Sequence, residues 1–83
     1  LHHREALRVF PNPCRDRVWV ENLEPVPDGS YTYELLDVSG ARLEKGYILP
    51  GGAIKFSERF TGMHLLRIFR KGDLVQSLLL KGR

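Results

Sequence analysis

The stretch Met63-His64-Leu65-Leu66-Arg67-Ile68-Phe69-Arg70, then Lys71-Gly72-Asp73, then Leu74-Val75-Gln76-Ser77-Leu78-Leu79-Leu80-Lys81 reads as two strands around a tight turn. His64, Leu66 and Ile68 fall opposite Leu65, Arg67 and Phe69. Leu74, Gln76, Leu78 and Leu80 fall opposite Val75, Ser77, Leu79 and Lys81. A pleated strand sends successive side chains to opposite faces, so alternation of this kind is its signature. A helix would instead place apolar residues at roughly every third or fourth position. Gly72 supplies the backbone freedom that a short connection needs.

Working outward, the same pattern recurs between turn signals. Leu7–Phe10 is a short first strand, stopped by Pro11-Asn12-Pro13. Arg17–Asn22 places Val18 and Val20 opposite Arg17, Trp19 and Glu21. Tyr31–Val38 places Tyr31, Tyr33 and Leu35 opposite Thr32, Glu34, Leu36 and Val38. Arg42–Leu49 follows Ser39-Gly40, and Ala53–Ser57 puts Ile54 and Phe56 on one face. Glu58–Thr61 reads as a turn of helix or an irregular crossover between sheets. Proline fixes φ, glycine reaches φ > 0, and Asn, Asp and Ser bond their own backbone, so Pro27-Asp28-Gly29-Ser30 and Pro50-Gly51-Gly52 are turns as well. About seven short strands at regular spacing predict an all-β protein, an immunoglobulin-like antiparallel β-sandwich.

Composition agrees with a small domain. The chain has 83 residues, 42% of them hydrophobic, with 13 Lys+Arg against 10 Asp+Glu. A chain of this size buries only a thin core. The expected organisation is a linker end over 1–6 and one sandwich over 7–83. The first residue is Leu1, so the chain is expected to be a piece of a longer product. His2-His3 is too few ligands for a structural zinc, which takes about four. The single cysteine, Cys14, excludes an internal disulfide and a multi-cysteine zinc cluster.

No catalytic pattern emerges. There is no G-x-S-x-G elbow, H-E-x-x-H or P-loop. His64 sits on a strand that reads as core, so it is expected to be packed or at an edge. Cys14 would be a nucleophile only if neighbours such as Arg15 and Arg17 lowered its pKa, and a free thiol in a turn is the simpler expectation. Acids interleave with bases throughout, and the only adjacent basic pair is Arg70-Lys71, so nucleic-acid binding is not expected. The cations nevertheless suit an anionic surface. Trp19, Tyr31, Tyr33 and Tyr47 are candidates for a sugar-binding platform, but sheets use aromatics in their cores, and the core is expected to take Trp19 and at least one tyrosine.

Taken in order, Val9-Phe10-Pro11-Asn12-Pro13, Arg17-Val18-Trp19-Val20, Tyr33-Glu34-Leu35-Leu36-Asp37-Val38-Ser39-Gly40, Thr61-Gly62-Met63-His64-Leu65-Leu66-Arg67-Ile68 and the closing apolar strand to Lys81 resemble one family. The chain is similar, from Leu7 to Lys81, to the type A C-terminal sorting domains of the type IX (Por) secretion system of Bacteroidetes. It departs from that pattern at His64 and Leu36, where tyrosine is common, at Ala41, and in running on through Gly82-Arg83. The resemblance implies a non-enzymatic signal without cofactors. Such a domain directs a secreted cargo from the periplasm through the outer-membrane translocon to the cell surface or medium. The implied partners are the translocon, its sorting-signal-binding proteins, and a sortase-like surface cysteine peptidase that removes the domain and joins the cargo to anionic lipopolysaccharide.

On this resemblance, recognition falls on Gly62, Leu78, Leu79, Leu80 and Lys81, with Pro11, Asn12, Pro13, Asp37 and Gly40 as structural motif. A terminal strand with an open edge could be read by strand addition, or could pair with a second copy. The alternative is an immunoglobulin-like adhesion or carbohydrate-binding accessory module of a secreted protein.

Overall fold

The computed structural model describes residues 6–83. The expected linker end over 1–6, and His2-His3 with it, lies outside the described residues except for Ala6. Seven strands form: β1 (Arg8–Phe10), β2 (Arg17–Glu21), β3 (Tyr31–Leu36), β4 (Arg42–Tyr47), β5 (Ala53–Lys55), β6 (Gly62–Arg70) and β7 (Asp73–Gly82). They pair antiparallel in two sheets, one ordered β1-β2-β5 and the other β4-β3-β6-β7. This is the expected immunoglobulin-like sandwich. Glu58–Thr61 takes the irregular form and carries the chain from the smaller sheet to the larger.

The alternation in the sequence decides which face each strand buries. Val18 and Val20 of β2 and Ile54 of β5 point inward from one sheet. Tyr33 and Leu35 of β3, Leu66 and Ile68 of β6 and Leu80 of β7 meet them from the other. Phe56 fills the gap beside Tyr33, ring edge to face at 5.8 Å, and Phe60 continues the chain of rings at 5.3 Å. Burial of apolar surface at ~25 cal/mol per Å² is the main force holding the layers together.

Turn chemistry sets the registers. Lys71 and Gly72 have φ of 50° and 85°, the pair of positive values that a two-residue type I′ hairpin turn requires, and Arg70 faces Asp73 across it. Between β3 and β4, the Asp37 carboxylate accepts from the Ser39 amide, the Ser39 hydroxyl and the Ala41 amide, and Gly40 completes the loop at φ 93°. Those bonds, the Ser39 side chain first, hold the Asp37 carboxyl below the usual carboxylate range.

The sheets are also bound by a polar link. Glu44 on β4 accepts from the Ser57 amide at 3.0 Å and the Ser57 hydroxyl at 2.6 Å, and from the Tyr33 hydroxyl. Burial alone would push the Glu44 carboxyl up, but the bonds from Ser57 and Tyr33 outweigh it and hold the group below its ordinary value. Burial, and then the Glu44 carboxylate, push the Tyr33 phenol up.

Two expectations are corrected. Trp19 is not in the core: it is 39% exposed on the outer face of the smaller sheet. With Val18 and Val20 turned inward, the residue between them can only point out, so alternation overrides the general tendency of aromatics to be buried. Cys14 is a free thiol as expected, but it stands in a bridge to Gly82 and not in a turn. It is 1% exposed and packs in the core.

Candidate functional site

The Pro11-Asn12-Pro13 motif and the end of β7 are distant in sequence and adjacent in space. Asn12 does not bond its local backbone. Its side-chain amide donates to the Leu79 carbonyl at 3.1 Å and accepts from the Lys81 amide at 2.9 Å. One planar amide thus serves both groups of the outer edge of β7, as a neighbouring strand would. Cys14 extends the arrangement through its backbone: its amide donates to the Lys81 carbonyl at 2.8 Å, and its carbonyl accepts from the Arg83 amide at 2.8 Å. The two segments run parallel there, with Cys14 bridged to Gly82.

A second amide works the other way round, standing on β7 itself and serving the backbone of Leu7. Gln76 accepts from the Leu7 amide at 2.8 Å and donates to the Leu7 carbonyl at 2.6 Å. The segment from Leu7 to Cys14 is therefore tied to β7 at both ends, while its strand β1 pairs with β2 in the smaller sheet. The edge expected to be open to strand addition or self-pairing is covered by the chain's own residues from Leu79 to Arg83.

Site residues inferred from the sequence separate by environment. Leu79 is 59% exposed, and the Lys81 side chain is also outside. Leu80 has no exposed surface and supports the strand from within, while Leu78 is half-buried against the core. Gly62 opens β6 at φ 78°, and no atom lies within 4 Å of where its Cβ would stand. Its backbone conformation, and no crowding, calls for glycine. Pro11, Asn12 and Pro13 are exposed beside the strand end. Asp37 and Gly40 belong to the β3–β4 turn and contribute only to the scaffold.

Three residues of this site were not foreseen. At Gly82, an added Cβ would stand 2.1 Å from the Phe60 carbonyl oxygen, so the strand can close under Phe60 only with glycine there. Gln76 is a lone amide in the inward register of Leu78 and Leu80, a departure that marks a specific partner. Cys14 carries no sequence signal for its backbone role. His64 packs its ring 4.5 Å from that of Phe60, and its Nδ1 is buried without a hydrogen-bond partner among the described residues.

Burial pushes the Cys14 thiol up, away from the thiolate that a nucleophile needs, and Arg15 and Arg17 do not reverse it. Among the described residues, no group of three or more His, Cys, Asp or Glu is placed to hold a metal ion.

The outer face of the smaller sheet has a different character. Trp19 faces Phe10 across β1 and β2. The Arg17 guanidinium lies 5.7 Å from the Trp19 ring, and that of Arg8 lies 5.4 Å from the Phe10 ring. Next to Trp19 a groove of about 370 Å³ runs past Pro11, Pro13 and Cys14, with Arg15, Arg17 and Arg83 and the Asp16 carboxylate around it.

No family model, no curated protein and no solved structure matches the chain.

Proposed function

We propose that the domain is a sorting signal of the type IX C-terminal kind, exported with its cargo and read at its C-terminal strand. The observation that supports this reading is the Asn12 clamp. The motif residues of the resemblance lie at opposite ends of the chain, and Asn12 joins them into one surface with Leu79 and Lys81. Parts that must be read together are held together. On this reading the translocon's sorting-signal-binding proteins contact the exposed Leu79 and Lys81 side chains, and the covered edge leaves the backbone of this segment unavailable to an added strand.

The test is export. Residues 1–83 are fused to the C-terminus of a periplasmically targeted fluorescent reporter, in a Bacteroidetes host with a working type IX system and in its translocon mutant. Surface or medium fluorescence only in the first strain is the expected result. Lys81→Ala and Leu79→Ser should lower export without lowering the melting temperature, because both side chains are outside. Retention of folded reporter in the periplasm of both strains overturns the proposal.

A further inference from the structure

We propose that the outer face of the β1-β2-β5 sheet is a binding site for an acidic saccharide, a sugar chain carrying carboxylate groups. The first observation is a register that works against stability. Arg17 stands directly opposite Lys55 across β2 and β5, and like charges placed so repel. Arg15, Arg17, Lys55 and Arg83 form no ion pair among the described residues, whereas Arg8 on the same sheet is paired with Glu21 at 3.3 Å. Uncompensated cations gathered on one face favour an anion from outside.

The second observation is what they surround. Trp19 is 39% exposed at the centre of this face. It borders a groove of about 370 Å³ with Pro11 and Pro13 along it and the guanidinium-bearing side chains Arg15, Arg17 and Arg83 around it. A sugar ring has an apolar C–H face and polar substituents at its periphery. The Trp19 indole with prolines along the same groove matches that face, and the guanidinium of Arg17, 5.7 Å from the indole ring, joins those of Arg15 and Arg83 to match carboxylates at the periphery. A single exposed indole among cations suits one sugar ring better than a lipid surface, which calls for several apolar side chains standing proud of the basic ones. Asp16 is the one acidic lining residue and sets an orientation, since a carboxylate on the ligand must turn away from it.

The experiment measures binding of the purified chain to oligogalacturonate, the probe, by calorimetry at low and high salt. A neutral oligosaccharide of equal length and vesicles containing phosphatidylglycerol are run beside it. Oligogalacturonate should bind, more weakly as salt rises, and Trp19→Ala should weaken binding by about tenfold or more, as removal of a central aromatic anchor does. Lys55→Glu should also weaken binding yet raise the melting temperature, because a carboxylate then faces Arg17 across the strands. A merely structural role for Lys55 would not produce that opposition. Arg67→Glu, on the other sheet, should leave binding unchanged. No binding of oligogalacturonate, equal binding of the neutral sugar, or a tighter salt-sensitive response to the vesicles that Trp19→Ala leaves intact would each overturn the assignment.

Discussion

At the scale of single residues, Glu44 and Gly82 carry most consequence for their size. The Glu44 carboxyl is held below its ordinary value of 4.5 by the bonds from Ser57 and Tyr33, which overcome the opposing effect of burial. A group whose folded pKa is depressed stabilises the fold above its unfolded pKa, and that contribution is lost as pH falls through the folded one. In urea unfolding at a series of pH values, the stability advantage of the natural protein over Glu44→Gln should therefore shrink between about pH 6 and about pH 3. An advantage unchanged across that range would remove the charge from the Glu44 link. Gly82→Ala forces a methyl against the Phe60 carbonyl, a backbone atom that cannot rotate away. The expected loss is about 1–3 kcal/mol, the usual cost of overpacking, read from the midpoint of chemical unfolding. Gly62→Ala meets no such atom, and its loss should come from backbone strain at positive φ instead.

At the scale of elements, β7 is the strand on which the rest depends. It pairs with β6 on one side, is met by Asn12 and Cys14 on the other, and holds Leu7 through the Gln76 side chain. Removing both amides, in Asn12→Ala with Gln76→Ala, should uncover the edge. The double variant is expected to form dimers or larger species at lower concentration than the natural chain does, seen by sedimentation. It should also exchange the Lys81 amide proton faster, since that group then loses its acceptor. A monomeric double variant with Lys81 still protected would show that backbone bonds at Cys14 suffice. The strands themselves were legible because period-2 alternation is a local property: Val18 and Val20, or Leu66 and Ile68, declare their shared face within a few residues. The clamps were not, because nothing near Asn12 or Gln76 indicates a partner 69 residues away. Trp19 shows the opposite lesson. Its local alternation already placed it outside, and a compositional habit of aromatics was the wrong guide.

At the scale of the whole molecule, the sandwich is thin. Its fully buried side chains are few, with Val18, Ile54, Leu66, Ile68, Leu80 and Cys14 the largest. Leu66→Ala should cost about 2–5 kcal/mol by emptying a core site. That is a large part of the roughly 5–15 kcal/mol available to an ordinary domain, so loss of the cooperative thermal transition by circular dichroism is expected. A melting curve within a few degrees of the natural protein would mean that the sheets close over the gap. The same thinness explains why truncating the last strand is a poor probe of export, since recognition and folding would fail together. The joining of the two chain ends has one more consequence. The segments at Cys14 and Gly82 run parallel, linked by bonds on both sides of Cys14. A tensile load drawing Leu7 and Arg83 apart therefore falls on these bonds side by side, in shear, instead of peeling them one after another. The domain is built to resist stretching along its own chain and to yield far more readily to a pull across its sheets.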